Sequence, residues 1–126
     1  MPTESKSAAS PIFSKTYDFI LWLLNHTEKF PKSERFRLAR RLEDAALDFY
    51  DLLMLAARSS RRKAATLLDA DLALDRLRFY VRLSHARGLF SDRQYEYAAA
   101  RMVEIGKLLG GWLKSISSAQ AGPEAP

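Results

Sequence analysis

The chain has 126 residues, no cysteine, 48% hydrophobic residues and a net charge of +5, with a pI near 9.7. That length makes one domain with enough apolar material for a core, and the absence of thiols excludes disulfide staples and thiolate metal sites and suits a reducing cytoplasm. The charge favours polyanions or acidic protein surfaces as partners, and the longest apolar run, Phe19 to Leu24, is far short of the roughly 20 residues a membrane span needs, so a soluble, cytoplasmic protein with no membrane partner is expected.

Residues 1–12 and 119–126 lack apolar periodicity and are expected to be frayed tails around one domain at 13–118. Helix 1 is predicted from about Ser14 to Lys29, with Ser14 or Thr16 as its cap, ahead of Pro31, which cannot continue a helix. Its core stripe reads as Tyr17, Ile20, Leu21 and Leu24. Phe19, Trp22 and Leu23 fall off that stripe, so a second burial surface is implied. The simplest such surface is a subunit interface; the other reading lays Trp22 flat on its own bundle.

Helix 2 is predicted from Ser33 as N-cap to Arg58, with Ala39, Leu42, Ala46, Phe49, Leu53 and Ala56 inward and Leu38, Ala45 and Leu52 widening the stripe. Helix 3 spans Arg61 to Ala86 with Leu67, Ala70, Leu74, Leu77 and Val81 inward, Leu72 and Phe79 broadening that face, and Gly88 as the stop. Helix 4 opens on Ser91 with Gln94 three residues later, a capping-box spacing. Tyr95, Ala98, Met102, Ile105, Leu109, Trp112 and Ile116 then recur at intervals of three and four. Short connections between four such segments predict an all-α, antiparallel up-down-up-down four-helix bundle. Gly106 and Gly110 lie beside the helix 4 seam, and since each glycine in a helix costs about 1 kcal/mol, they are expected to form a notch for helix packing. Gly111 and Trp112 are expected at the end of that helix.

Laying the helices antiparallel gathers cations at one end: Lys29, Lys32, Arg35, Arg37, Arg40 and Arg41 from the first turn and helix 2, with Arg76, Arg78, Arg82, Arg87 and Arg93 from helices 3 and 4. Beyond them an acidic belt is expected from Asp44, Asp48 and Asp51 beside Asp69, Asp71 and Asp75, then a basic tip at Arg58, Arg61, Arg62, Lys63 and Lys114. In helix 2 this order opposes the helix dipole. The band reads either as a phosphate-binding surface, for which arginine has bidentate geometry, or as a solvated face with intersubunit salt bridges.

Pro31-Lys32-Ser33-Glu34-Arg35-Phe36, Asp71-Leu72-Ala73-Leu74-Asp75-Arg76-Leu77-Arg78-Phe79, and Glu104-Ile105-Gly106 through Gly110-Gly111-Trp112-Leu113-Lys114 resemble the accessory variability determinant (Avd) proteins of diversity-generating retroelements, over residues 13 to 118. The resemblance implies a four-helix bundle assembled as a barrel-shaped homopentamer. It also implies binding to nucleic acid and to the retroelement's reverse transcriptase, in support of mutagenic copying of template RNA into cDNA. It tips the basic band toward binding, so Lys29, Lys32, Arg35, Arg37, Arg40, Arg41, Arg76, Arg78, Arg82 and Arg87 become the candidate contacts to reverse transcriptase, RNA or DNA. Phe19, Trp22 and Leu23 become the candidate oligomer interface.

No catalytic constellation stands beside these. His26 and His85, the chain's histidines, have neither triad nor metal-ligand setting and read as surface or helix-end residues. The aspartate stripe has no glycine-rich loop or ligand signature, so neither enzyme activity, nor metal, nor cofactor is expected. No zinc-finger, helix-turn-helix or RNA-recognition signature supports base-specific readout. Two other identities remain open: a four-helix bundle protein of the type encoded by ribosomal-RNA intervening sequences, and a purely structural helical oligomer.

Overall fold

A computed structural model describes residues 10–59 and 61–121. Four α-helices span Ser10–Thr27 (α1), Arg40–Arg58 (α2), Lys63–Ala86 (α3) and Asp92–Ala121 (α4), with a 3-10 turn at Lys32–Glu34 and a wide π turn at Arg35–Ala39 ahead of α2. Among the described residues there is no strand, and no helix is long and apolar enough to cross a membrane. The helices touch in the order α1–α2–α3–α4 and back to α1, so α1 and α3 face each other across the core.

Side-chain pairs fix the direction of each neighbour. Thr27 Oγ1 donates to Glu43 Oε2 at 2.6 Å while Phe13 meets Tyr50 near the other end, which sets α1 against α2. From Glu34 with Arg87, just outside the two helices, through Arg41 with Tyr80 to Asp48 with Arg76, the pairs advance along α2 as they run back along α3. Lys15 with Glu104 and Trp22 with Tyr97 do the same for α1 and α4. Every neighbouring pair is antiparallel, as expected of short connections. The Lys15 ammonium, 2.8 Å from Glu104, holds that carboxyl below its ordinary value, first by its hydrogen bond and then by charge.

The predicted core stripes of α2 and α3 are buried residue for residue, Ala39 to Ala56 and Leu67 to Val81. In α4, Ala98, Met102, Ile105 and Leu109 are buried, and Tyr95, Trp112 and Ile116 pack at the core's edge. Each fully buried Leu, Ile or Phe contributes about 1.5–3 kcal/mol. The α4 capping box forms, with Gln94 N–H donating to Ser91 Oγ at 3.1 Å and Ser91 N–H to Gln94 Oε1 at 2.8 Å. Gly88, at φ +79°, ends α3: Leu89 N–H reaches the Ser84 carbonyl at 2.8 Å and Gly88 N–H the His85 carbonyl at 2.9 Å.

Helix α1 departs from expectation in phase. Its inward side is Ile12, Thr16, Phe19, Leu23 and Thr27, while Tyr17 is 63% and Leu21 48% exposed. Phe19 and Leu23, expected at an oligomer interface, are core residues with 1% and 0% exposure. Trp22 is half-buried on its own bundle, stacked on His26 at 4.1 Å and packed on Phe19, Phe90 and Tyr97; such aromatic pairs add about 0.5–1.5 kcal/mol beyond area burial. Two threonines inside the true stripe disguise it, and its first member, Ile12, was expected in a tail. Leu72 and Phe79 are likewise exposed, so they do not broaden the α3 core face.

Two further corrections concern α2 and α4. Ser33 makes no cap hydrogen bond, and the chain enters α2 through the 3-10 and π turns. Arg35 lies seven residues, two helical turns, before buried Leu42, so an uninterrupted α-helix would aim it at the core. The wider turn rotates Arg35 outward. Helix α4 continues past Gly111 and Trp112 to Ala121. Gly110 has no neighbour within 4 Å of where its Cβ would stand, so it is no packing notch, whereas Gly106 is one.

Candidate nucleic-acid interface

The turn after α1, the start of α2, the end of α3 and the start of α4 share one end of the bundle, and the antiparallel pairs above bring the predicted cations to it. Glu34 organises that end. Its carboxylate is 3% exposed, accepts from Arg87 Nη2 at 3.0 Å and has Arg37 Nε at 3.8 Å. Arg87 thereby fastens the turn after α1 to the end of α3, and Arg37 braces Glu34 from within the turn. A carboxylate this deep is stable only because it is paired.

The ten predicted contacts divide by what they already touch. Arg40 lies 3.6 Å from Asp44 and Arg76 3.6 Å from Asp48, so the near part of the acidic belt interleaves with the band on the α2–α3 face. Arg41 Nη1 donates to Tyr80 Oη at 3.5 Å, and these residues line a depression of about 240 Å³. Arg78 faces the other way: Nη1 binds Asp75 Oδ1 at 2.8 Å, Nη2 reaches the Met102 carbonyl at 3.5 Å, and the guanidinium lies in the notch left by Gly106. With Arg82, Phe79, Tyr95 and Val103 it lines an α3–α4 groove of about 330 Å³. The band is therefore two surfaces, one on each side of α3.

Among the described residues, Lys29, Lys32, Arg35, Arg41 and Arg82 have no carboxylate within ion-pair distance. Lys29, Lys32 and Arg35 cluster in the turn after α1, and Lys29 also borders a cleft of about 240 Å³ against the α3–α4 turn, with His26, Phe30 and Gln94. Charges without internal partners are the ones an external phosphate neutralises at least cost. Both histidines sit at helix ends: His26 Nδ1 lies 2.7 Å from the Trp22 carbonyl, and His85 Nε2 2.7 Å from Asp92 Oδ1 with its ring stacked on Tyr95. Among the described residues no group of three or more His, Cys, Asp or Glu is placed to hold a metal ion.

Sequence reasoning missed two residues here. Glu34 entered only as one acid among bases, since its partner Arg87 is 53 positions away. Phe36 is 76% exposed, and its one sequence signal is an aromatic between arginines that fits no core stripe.

No curated protein matches the chain. Among solved structures, a protein of unknown function from the S23 ribosomal protein family of Bacteroides thetaiotaomicron VPI-5482 is similar with a TM-score of 0.78 at 17% identity, over 86% of this chain and 99% of that one. That likeness is one of fold. The family model described as bAvd-like matches residues 11–116, which is nearly the whole helical bundle, and the chain belongs to the bAvd-like family.

Proposed function

We propose that the chain is a non-catalytic accessory subunit of a diversity-generating retroelement: a basic homo-oligomer, working in the cytoplasm, that binds the reverse transcriptase and the template RNA or its cDNA during mutagenic copying. Family membership points to this role, and the observation that carries it is the group of Lys29, Lys32 and Arg35 at one end of the bundle, cations with no carboxylate partner among the described residues. A purely structural oligomer accounts for the paired Arg40, Arg76 and Arg78. For the unpaired ones it requires carboxylates from a neighbouring copy or bare solvation.

Binding through phosphates has a quantitative signature. Log affinity falls with log salt at a slope of about −0.7 per neutralised phosphate on single strands and about −0.9 on B-form duplex DNA. Changing Lys29, Lys32 and Arg35 together to Gln is expected to flatten the single-strand slope by about 2, while Arg76→Gln, already paired to Asp48, leaves it nearly unchanged. Fluorescence anisotropy titrations at several salt concentrations read both, and a slope near zero for the wild type would remove the phosphate surface. Co-purification with a reverse transcriptase of a diversity-generating retroelement tests the other partner; failure of the wild type to co-purify counts against the accessory role.

A further inference from the structure

The turn that carries the free cations also carries the most exposed large apolar side chain among the described residues. Phe36 is 76% exposed, at the non-helical backbone angles φ −100° and ψ 16° inside the wide turn. The Arg40 guanidinium carbon lies 6.0 Å from its ring centroid, and exposed Arg35 and Arg37 flank it in sequence. The turn is fastened from below by buried Glu34 through Arg87, so the ring stands on a fixed base.

The charge around the ring selects its occupant. An apolar protein surface closing on Phe36 would strip water from Arg35, Arg37 and Arg40 and return nothing to them. A single strand of nucleic acid supplies both needs: a base whose π-face stacks on the ring, and phosphates on either side for the cations. A duplex supplies the phosphates but keeps its bases stacked on one another. We propose that Phe36 is a base-stacking platform for single-stranded nucleic acid, with Lys32, Arg35 and Arg37 holding the phosphates that flank the stacked base. The inference rests on the phosphate-binding reading of this end and adds strand form to it: the surface distinguishes single strands from duplexes and tolerates any base, because every base has a π-face.

The test compares wild type, Phe36→Leu and Phe36→Trp on a short labelled single-stranded RNA and on its blunt duplex. Phe36→Leu keeps apolar bulk and removes the π-face. It is expected to weaken single-strand binding about fivefold to a hundredfold, with duplex affinity and salt slope unchanged. Phe36→Trp is expected to restore single-strand binding, with tryptophan emission quenched by the single strand beyond what wild type shows. Equal single-strand affinity for wild type and Phe36→Leu overturns the proposal, as does an equal loss on both nucleic acids. So does a change in native mass, which would make Phe36 a subunit contact, or a loss confined to reverse-transcriptase co-purification, which would make it a protein-docking residue. A wild type that binds neither nucleic acid removes the phosphate surface itself, and the platform with it.

Discussion

At Gly106 an added methyl would stand 2.5 Å from Arg78 Nη2, whereas at Gly110 it would meet nothing within 4 Å. The two glycines have opposite consequences for the same substitution. Gly110→Ala is expected to stabilise the protein by about 0.5–1 kcal/mol, the helix-propensity gain alone. Gly106→Ala makes the same gain but displaces a flexible guanidinium from the Met102 carbonyl and crowds its hold on Asp75, so it should yield measurably less. Urea unfolding of the two variants decides it; destabilisation by Gly110→Ala would mean that another surface lies against that helix. The same geometry explains why Arg78 is a poor probe of partner binding, since its charge is already used between α3 and α4. Arg82, on the same groove without an ion pair, is the cleaner site.

Among the elements, the turn between α1 and α2 departs furthest from a regular bundle, and Glu34 is what holds it. Glu34→Gln preserves shape but removes the charge that Arg87 and Arg37 share. Arg87 is half-exposed and recovers part of its hydration, so the loss is expected at about 1–3 kcal/mol, below the roughly 3–5 kcal/mol that breaking a fully buried pair costs. A change within about 0.5 kcal/mol in urea unfolding would reduce the pair to an ordinary surface bridge. This turn was not readable in advance because its cause is tertiary: local rules see Ser33 ahead of an apolar run and assign a cap, while Arg87 is contributed by another helix. In α1 the apolar count itself misled, since Thr16 and Thr27 occupy core positions and Tyr17, Leu21 and Leu24 make a fuller stripe on the wrong side. α2, α3 and α4 were readable because the central parts of their inward faces, Ala39 to Ala56, Leu67 to Val81 and Ala98 to Leu109, hold apolar residues without a break, and the buried Thr66 and Ser84 of α3 lie at its ends. The lysines and arginines at the basic end were equally visible. Which of them already had partners was not, because pairing depends on the height and rotation of neighbouring helices.

For the whole molecule, the apolar residues left outside are the informative ones. Tyr17, Ile20, Leu21, Leu24, Leu47 and Tyr50 line an almost wholly apolar groove of about 350 Å³ on the α1–α2 side. Leu68, Leu72, Phe79 and Leu83 form a second exposed stripe along α3, at spacings that keep them on one helix face. The groove is a contiguous apolar patch of the kind that marks association surfaces, whereas exposed Asp75 interrupts the α3 stripe between Leu72 and Phe79; because α1 and α3 face each other across the core, the two lie on opposite sides of the chain. Joining unlike faces of successive copies is a heterologous contact, which gives a ring where the rotation between copies closes and a filament where it does not; a two-fold dimer would instead pair one face with itself. Phe19, Trp22 and Leu23 are spent on the chain's own bundle, so the α1 residues available to a neighbouring copy are Tyr17 and Leu21. Native mass spectrometry should find wild type at several times the chain mass of 14.3 kDa, with five copies if the resemblance to the Avd homopentamer extends to assembly. Leu21→Glu and Leu72→Glu each remove one face and should each give monomers. Mixed together they should give a heterodimer and stop there, since one chain keeps an intact α3 stripe and the other an intact α1–α2 groove. Homodimers of Leu72→Glu alone would show instead that the α1–α2 groove pairs with itself, and the ring would be the wrong architecture.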